Sequence, residues 1–281
     1  MQEASTPVAS RHRRRDEVEA DMHLTDAQLT QFHQHGFLIL LGLFSYHEVE
    51  VLRQAQDDVF TEETEANIRE KKSGEVRTAM GLHLRHPVFN RLSHHPRLVE
   101  PAQQLLGPEL YIQQTKINVK AAFDGEAWQW HYDFATHHAE DGVPETLALN
   151  LHVFLEDVNE FNGPLYFIKG SHCYGPAPSF HDTVTTSYPL WCVERDTIAS
   201  LIEEGGLESA TGPAGTGLIF GDVMVHGSPP NMSPWDRPIF SLILNPVANR
   251  QTKFARPEYK HHTDFTPVTA GSDGGLLEGI R

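Results

Sequence analysis

The segment Trp130-His131-Tyr132-Asp133 places an imidazole and a carboxylate two residues apart. In a strand, residues i and i+2 face the same side, so His131 and Asp133 can close on one ion together. A second imidazole, His226, stands in Val225-His226-Gly227-Ser228, just after an apolar segment and a Gly-Asp turn. Two histidines and one carboxylate form the set that grips Fe(II) on one face and leaves the other positions open for substrate and oxygen. By itself an HxD tripeptide is equally a hydrogen-bonded surface pair, and a chain with 18 histidines supplies a distant third one by chance.

A downstream arginine adds weight. Arg237 heads Arg237-Pro-Ile-Phe-Ser-Leu-Ile-Leu-Asn245, where alternation sets Arg237, Ile239, Ser241, Ile243 and Asn245 on one face and Phe240, Leu242 and Leu244 on the other. A guanidinium at the mouth of such a strand suits bidentate recognition of a carboxylate; the competing reading is a surface salt bridge. Upstream, Gln114, Lys116, Asn118 and Lys120 form a polar face, opposite Tyr111, Ile117 and Val119 diluted by Gln113 and Thr115. That polar face either meets solvent or lines a wet cavity.

The elements that must hold these residues are legible in outline. Thr25 with Gln28 and Ser45 with Glu48 have capping-box spacing, so helices are expected from there to about His35 (with Gly36 as the C′ residue) and to about Phe60. Residues 61–76 are charged and read as a flexible loop, and His95 to Leu106 reads as a further short helix. From Leu110 the period changes to two, and segments 110–122, 127–134, 147–155, 164–168, 216–220 and 237–245 read as strands between turns such as Asn162-Gly163-Pro164. A helical N-terminal third followed by many short strands predicts an α+β fold built on a double-sheet jelly roll. Residues 175–205 form a long excursion, with a helix at 196–204, of the kind that covers active sites.

Bulk properties narrow the partners. A net charge of −16 weighs against nucleic acid, which needs clustered Lys and Arg. No stretch approaches the roughly 20 apolar residues that span a bilayer. The two cysteines, Cys173 and Cys192, are too few for a disulfide framework, so the expected compartment is a reducing cytoplasm. Residues 1–21, with a basic run at Arg11–Arg15 followed by acidic residues, read as a disordered tail before one domain over 22–281. Arg69, Lys71, Lys72 and Arg77 could make a basic patch, but Glu70 and Glu75 dilute it.

Taken in order, these blocks resemble the phytanoyl-CoA dioxygenase superfamily, and within it the bacterial branch of ectoine and free-proline trans-4-hydroxylases. The resemblance runs from about Leu24 to Asn249. It is carried by Leu24-Thr25 with Gly36-Phe37, Tyr111…Gln114…Ile117-Asn118…Lys120, Trp130-His131…Asp133-Phe134, and Glu140-Asp141-Gly142. It continues through Asn162-Gly163-Pro164-Leu165, Gly170-Ser171-His172, Glu208 to Pro213, and His226-Gly227-Ser228…Asn231-Met232-Ser233-Pro234…Arg237.

The resemblance implies a cupin-like double-stranded β-helix and a reaction that consumes 2-oxoglutarate and O2 at Fe(II). It implies iron on His131, Asp133 and His226, the far carboxylate of 2-oxoglutarate on Arg237 and Ser228, and co-substrate contacts from Lys120 and Asn150. Asn150, His152 and Phe154 alternate against Leu149, Leu151 and Val153, as an inward polar strand should. Substrate contacts are expected from Gln114, Asn118 and His137. The chain departs from the named hydroxylases at His137, where they carry tryptophan, and at Ile239 and Ser241, which replace substrate-side Asn and Phe of the ectoine enzymes. Asp133 argues for hydroxylation, because related halogenases have a small residue there.

The expected function is therefore hydroxylation of a small free amino or imino acid such as L-proline, with oligomeric state left open. The alternatives are a tailoring dioxygenase for a larger natural-product or tethered acyl intermediate, a catalytically silent metal-binding barrel, and a metal-dependent isomerase or lyase.

Overall fold

The computed structural model describes residues 22–278; the expected N-terminal tail lies outside the described residues. The first helix, α1 (Asp26–His35), and the helix α2 (Tyr46–Phe60), which follows strand β1 (Phe37–Leu40), start at the two capping boxes. In the first box Gln28 N donates to Thr25 Oγ1 at 3.3 Å and Thr25 N donates to Gln28 Oε1 at 2.8 Å, so two orphan amides are satisfied reciprocally. Gly36 ends α1 at φ 87°, and a Cβ there would lie 2.4 Å from His172 Nδ1, so both conformation and space require glycine.

Strands β2 (Asn67–Arg69) and β3 (Val76–Met80) follow, so the expected flexible loop at 61–76 is partly a hairpin. The hairpin is held because Glu70, charged but buried, accepts from Arg77 at 2.9 Å. Three helices come next, α3 (Leu82–Arg85), α4 (Pro87–Ser93) and α5 (Pro96–Leu106). The barrel strands are β4 (Leu110–Asn118), β5 (Trp128–His131), β6 (Leu149–Phe154) and β7 (Leu165–Ile168), with the short helix α6 (Asp133–Thr136) after β5. A hairpin of β8 (Ser179–Asp182) and β9 (Leu190–Val193) and the helix α7 (Arg195–Gly205) make up most of the long excursion. The chain closes with β10 (Leu207–Ala210), β11 (Gly217–Gly221), β12 (His226–Ser228) and β13 (Ile239–Pro246).

One antiparallel sheet has the order β1-β11-β6-β13-β4-β3-β2, and a smaller one has the order β10-β7-β12-β5. Facing one another, the two make the expected jelly roll. Alternation decides which side chains go where. Leu149, Leu151 and Val153 of β6 and Phe240, Leu242 and Leu244 of β13 point out and pack under Leu52, Val59, Phe89, Leu92 and Val99 of the helices. Each fully buried leucine or phenylalanine contributes about 1.5–3 kcal/mol relative to exposure. Their neighbours Asn150, His152, Ile239, Ser241 and Asn245 are thereby turned into the barrel. Phe37, Phe154, Phe167 and Phe220 close one part of the interior between the sheets, leaving the rest to polar groups.

Strand β4 departs from simple alternation. Ile243 pairs with Gln114 while Leu244 pairs with Ile112, so Gln113 is the extra residue of a β-bulge. Gln113 and Gln114 both face the interior in consequence: Gln113 bonds Asn245, and Gln114 lines the cavity. The mixed polar and apolar spacing of 111–115 has this cause.

Among the described residues, no helix is long and apolar enough to cross a membrane.

Candidate active site

His131 ends β5 and is the direct cross-strand partner of His226 at the start of β12. Their ring centroids are 4.2 Å apart. Asp133 does not continue the strand, as the period-two reading had it, but opens α6. The pairing with His131 survives because Tyr132 between them is extended at φ −132° and ψ 142° and turns away to donate its hydroxyl to Ala177 O at 2.8 Å. The ligand atoms of His131, Asp133 and His226 all lie within 4.8 Å of one another.

Both imidazoles are set for metal binding by their own strands. His131 Nδ1 lies 2.6 Å from Gln129 O, and His226 Nδ1 lies 2.9 Å from Met224 O. A carbonyl only accepts, so each Nδ1 carries the proton and each Nε2 keeps a free lone pair. Burial, reinforced by the other imidazole, lowers His131 to about 3, and burial likewise lowers His226. Burial alone would raise the Asp133 carboxyl, but Lys116 and the neighbouring imidazoles hold it below the usual carboxylate range. Two neutral imidazoles and an ionised carboxylate on one side of a cavity fit a divalent iron with open positions opposite. Asn150, from β6, donates Nδ2 to Asp133 Oδ2 at 2.9 Å and fixes that carboxylate's orientation.

The same cavity is walled by Arg237, Lys116, Gln114, Asn118, His137 and Arg256. Arg237 is 1% exposed, and its Nε and one terminal nitrogen have no partner among the described residues. Burial, with the Arg77 charge nearby, lowers its pKa to about 9. Arg77 itself is matched by Glu70 at 2.9 Å and Glu126 at 3.2 Å, so it is a buried structural cation and no part of a surface patch. Among the described residues the Arg237 guanidinium has no carboxylate partner, and its chemistry suits one. Ser228, two residues past His226, has a buried Oγ that also lacks a partner among the described residues.

Lys120 does not reach the cavity wall. Its amine is turned to the carbonyls of Glu126 (2.6 Å), Pro229 (2.6 Å) and Ser228 (3.4 Å), not into the cavity where a co-substrate contact was expected. The lysine instead anchors the segment carrying Ser228. Gly163 makes room for it, since a Cβ there would meet Lys120 Cδ at 2.6 Å. Asn118 and Gln114 do line the cavity; Asn118 accepts from Thr78 Oγ1 at 3.1 Å, and Gln114 Nε2 donates to Lys260 O.

Several cavity residues escaped the sequence reading. Lys116 was recognised only as one of a polar row, and His152 only as part of an alternation. Arg256 carried no signal at all. It is delivered from a C-terminal segment whose Thr252 and Lys253 amides donate to Asp141 O at 3.0 and 2.9 Å. Arg256 Nε then donates to Asp141 Oδ1 at 2.7 Å. His261 is 1% exposed with Nδ1 2.7 Å from Asp141 Oδ2, and His95 and His262 are buried as well. Tyr188 and Leu190 of the β8–β9 hairpin complete the wall.

Comparison with known proteins places this geometry. Residues 32–239 match the family model described as phytanoyl-CoA dioxygenase. The chain is similar to an ectoine dioxygenase of Bordetella parapertussis, 37% identical over 237 residues that cover 80% of this chain and 77% of the relative. It is similar to an L-proline trans-4-hydroxylase of Streptomyces griseoviridis, 36% identical over 255 residues, covering 87% and 95%. The crystal structure of EctD from S. alaskensis with 2-oxoglutarate and 5-hydroxyectoine superposes with a TM-score of 0.77 at 31% identity, covering 88% of each chain.

Proposed function

The chain belongs to the phytanoyl-CoA dioxygenase family and is an Fe(II)- and 2-oxoglutarate-dependent dioxygenase, and from that premise we propose that it hydroxylates a small free amino or imino acid of the L-proline type. In this reading His131, Asp133 and His226 hold the iron, Arg237 with Ser228 receives the far carboxylate of 2-oxoglutarate, and Gln114, Asn118 and His137 face the substrate.

The observation that carries the assignment is the buried, unmatched Arg237 in the cavity that also holds the triad. A guanidinium is kept in that state only where an anion regularly pairs with it. When bound, iron supplies the activation of O2 by 2-oxoglutarate that replaces a carbon-bound hydrogen with hydroxyl, yielding succinate and CO2. The protein's part is positional. The Nδ1–H bonds of His131 and His226 aim their Nε2 lone pairs at one point, and Asn150 orients the carboxylate. Lys116, whose Nζ makes no hydrogen bond to the described residues, stabilises the ionised Asp133.

The substrate class follows from what the remaining wall offers. Lys116 presents positive charge, Arg256 being matched by Asp141, while Gln114 keeps Oε1 without a partner among the described residues, having spent Nε2 on Lys260 O. A cation and an amide oxygen two residues apart on β4 complement a carboxylate and an ammonium or ring N–H. The relatives that act on ectoine and on L-proline support the same class. A larger tethered substrate would have to displace the Tyr188–Leu190 wall.

The test is succinate formation by the iron-loaded protein under air, against a panel of free amino and imino acids, with mass spectrometry for a gain of one oxygen. Stimulation by proline or a ring analogue is the expected result. Slow succinate release stimulated by no panel member would overturn the substrate class, and a lack of iron-dependent turnover in folded protein would overturn the assignment of the site.

A further inference from the structure

His137 stands on the cavity wall, 4% exposed, with Nδ1 3.0 Å from Gln113 Nε2. Taken singly, such a contact is ambiguous, because either ring nitrogen can carry the proton and an amide can be placed either way round. The hydrogen bonds behind Gln113 remove both ambiguities.

The chain of deduction begins at a group that can only donate. Glu145 N–H donates to Asn249 Oδ1 at 2.8 Å. The other end of the Asn249 amide is therefore its nitrogen, which donates to Glu145 O at 2.8 Å and to Asn245 Oδ1 at 2.9 Å. Asn245 must then donate through Nδ2, which it does to Asn249 O at 3.1 Å and to Gln113 Oε1 at 2.7 Å. Gln113, having accepted through its oxygen, donates through Nε2 to His137 Nδ1. An accepting ring nitrogen carries no proton, so in the neutral ring the proton is on Nε2. An imidazolium carries a proton on both nitrogens, so acceptance at Nδ1 also makes the ring neutral. No described residue takes the Nε2–H.

This arrangement rests on long-range structure. Gln113 reaches the interior only because of the β4 bulge, and Asn245 and Asn249 lie at the far end of β13 and just beyond it. The three amides are buried, at 0% for Gln113 and Asn245 and 3% for Asn249, while Glu145, whose backbone anchors the outer end, is exposed. A fully satisfied amide chain at such depth rigidifies its terminal group.

We propose that His137 is a specificity-determining residue that presents a fixed Nε2–H to an acceptor atom of the substrate, and that the chain Glu145–Asn249–Asn245–Gln113 holds it in that tautomer. The substrate half of this proposal rests on the reading of the cavity as an amino-acid pocket. A neutral donor differs from Lys116 and Arg256 in that it selects an acceptor by position without adding charge. It also rejects a substrate that places an N–H or an apolar carbon there, since the buried N–H would be left unpaired.

Two measurements test it. The first is the imidazole nitrogen spectrum of histidine-labelled protein carrying zinc in place of iron, with His137 identified by its loss in His137→Gln. A neutral ring protonated at Nε2 is expected; an Nδ1–H tautomer or an imidazolium at neutral pH would overturn the proposal. The second compares kinetics of His137→Phe, which keeps ring size without a donor, and His137→Gln, which can donate. The Phe variant should raise KM for the amino or imino acid by about tenfold or more with KM for 2-oxoglutarate little changed, and the Gln variant should raise it less. Equal effects of the two variants, or a matched rise in both KM values, would show a structural role only and overturn it. If no amino or imino acid is turned over, the failure falls on the substrate class, and the nitrogen spectrum of the protein alone still decides the tautomer.

Discussion

Asn150 Nδ2 donates to Asp133 Oδ2 at 2.9 Å, tying β6 of the large sheet to the first residue of α6, which follows β5 of the small sheet. The bond leaves Oδ1 as the oxygen nearer His131, whose Nε2 lies 3.8 Å away. A carboxylate held by one oxygen would coordinate with the other, so in the proposed site Asn150 would set the angle at which Asp133 meets the metal.

Asn150→Ala should therefore weaken iron binding by roughly 10–100-fold without unfolding the protein, the usual loss when the partner of a metal ligand is removed. Competition against a metal-binding dye measures this. Affinity equal to that of the unaltered protein would show that Asp133 is oriented by the helix start alone.

Arg237 makes opposite predictions for the ligand-free and liganded protein. Arg237→Leu removes an unmatched buried charge, so the ligand-free Tm should hold or rise. Binding of 2-oxoglutarate should fall by roughly a hundredfold or more, corresponding to two charge-assisted hydrogen bonds of about 1.5–3 kcal/mol each. Saturating 2-oxoglutarate should then raise the Tm of the unaltered iron-loaded protein but not that of the variant. A lowered ligand-free Tm would mean that Arg237 is a packing residue.

His83 predicts how stability responds to acid. Burial, with the nearby His262 and His94 charges, lowers it to about 3, and its Nδ1 meets Thr115 Oγ1 at 2.8 Å. In the unfolded chain the ring titrates near 6.5. Between these values the unfolded state binds the extra proton, so the contribution is complete above about pH 6.5 and is lost as pH falls towards 3. His83→Asn should lower the slope of unfolding free energy against pH by about 1.4 kcal/mol per pH unit in that window. Urea denaturation at about pH 6 and about pH 5 measures the slope, and an unchanged slope would show that His83 is protonated in the fold.

The hairpin over the cavity is held at its turn by one carboxylate. Glu126 accepts from Ser187 N at 2.6 Å while paired with Arg77, and Lys71 N adds a bond to Ser187 Oγ at 3.1 Å. Glu126→Ala should speed proteolytic cutting at 183–188 by about fivefold or more, from the loss of a charge-assisted bond. It should also lower the ratio of hydroxylated product to succinate, because the wall containing Tyr188 and Leu190 excludes water. Unchanged cutting would place the tether elsewhere, at Gln129 and Asp182.

What the sequence determined by itself was what short-range geometry controls. Capping boxes at Thr25 and Ser45 need only a spacing of three residues, and both form. His131 and Asp133 are neighbours through one extended residue, whether or not the strand continues. The alternation in 149–155 and 237–245 sorts Asn150 and Arg237 inward because their neighbours have a helical layer to pack against.

The tertiary structure decided everything that depends on which distant segments meet. A bulge changes the facing of every residue beyond it, and nothing local to Gln113 announces one. Lys120 and Arg237 look alike as cations near a polar face. Carbonyls of residues 126, 228 and 229 match one and leave the other bare. Arg256 reaches the cavity through Asp141, 115 positions away, and His137 takes its tautomer from amides at 113, 245 and 249. Such pairings are fixed by the closure of the barrel, which brings sequence-distant backbone within hydrogen-bonding reach, and that closure has no signature in a local window of residues.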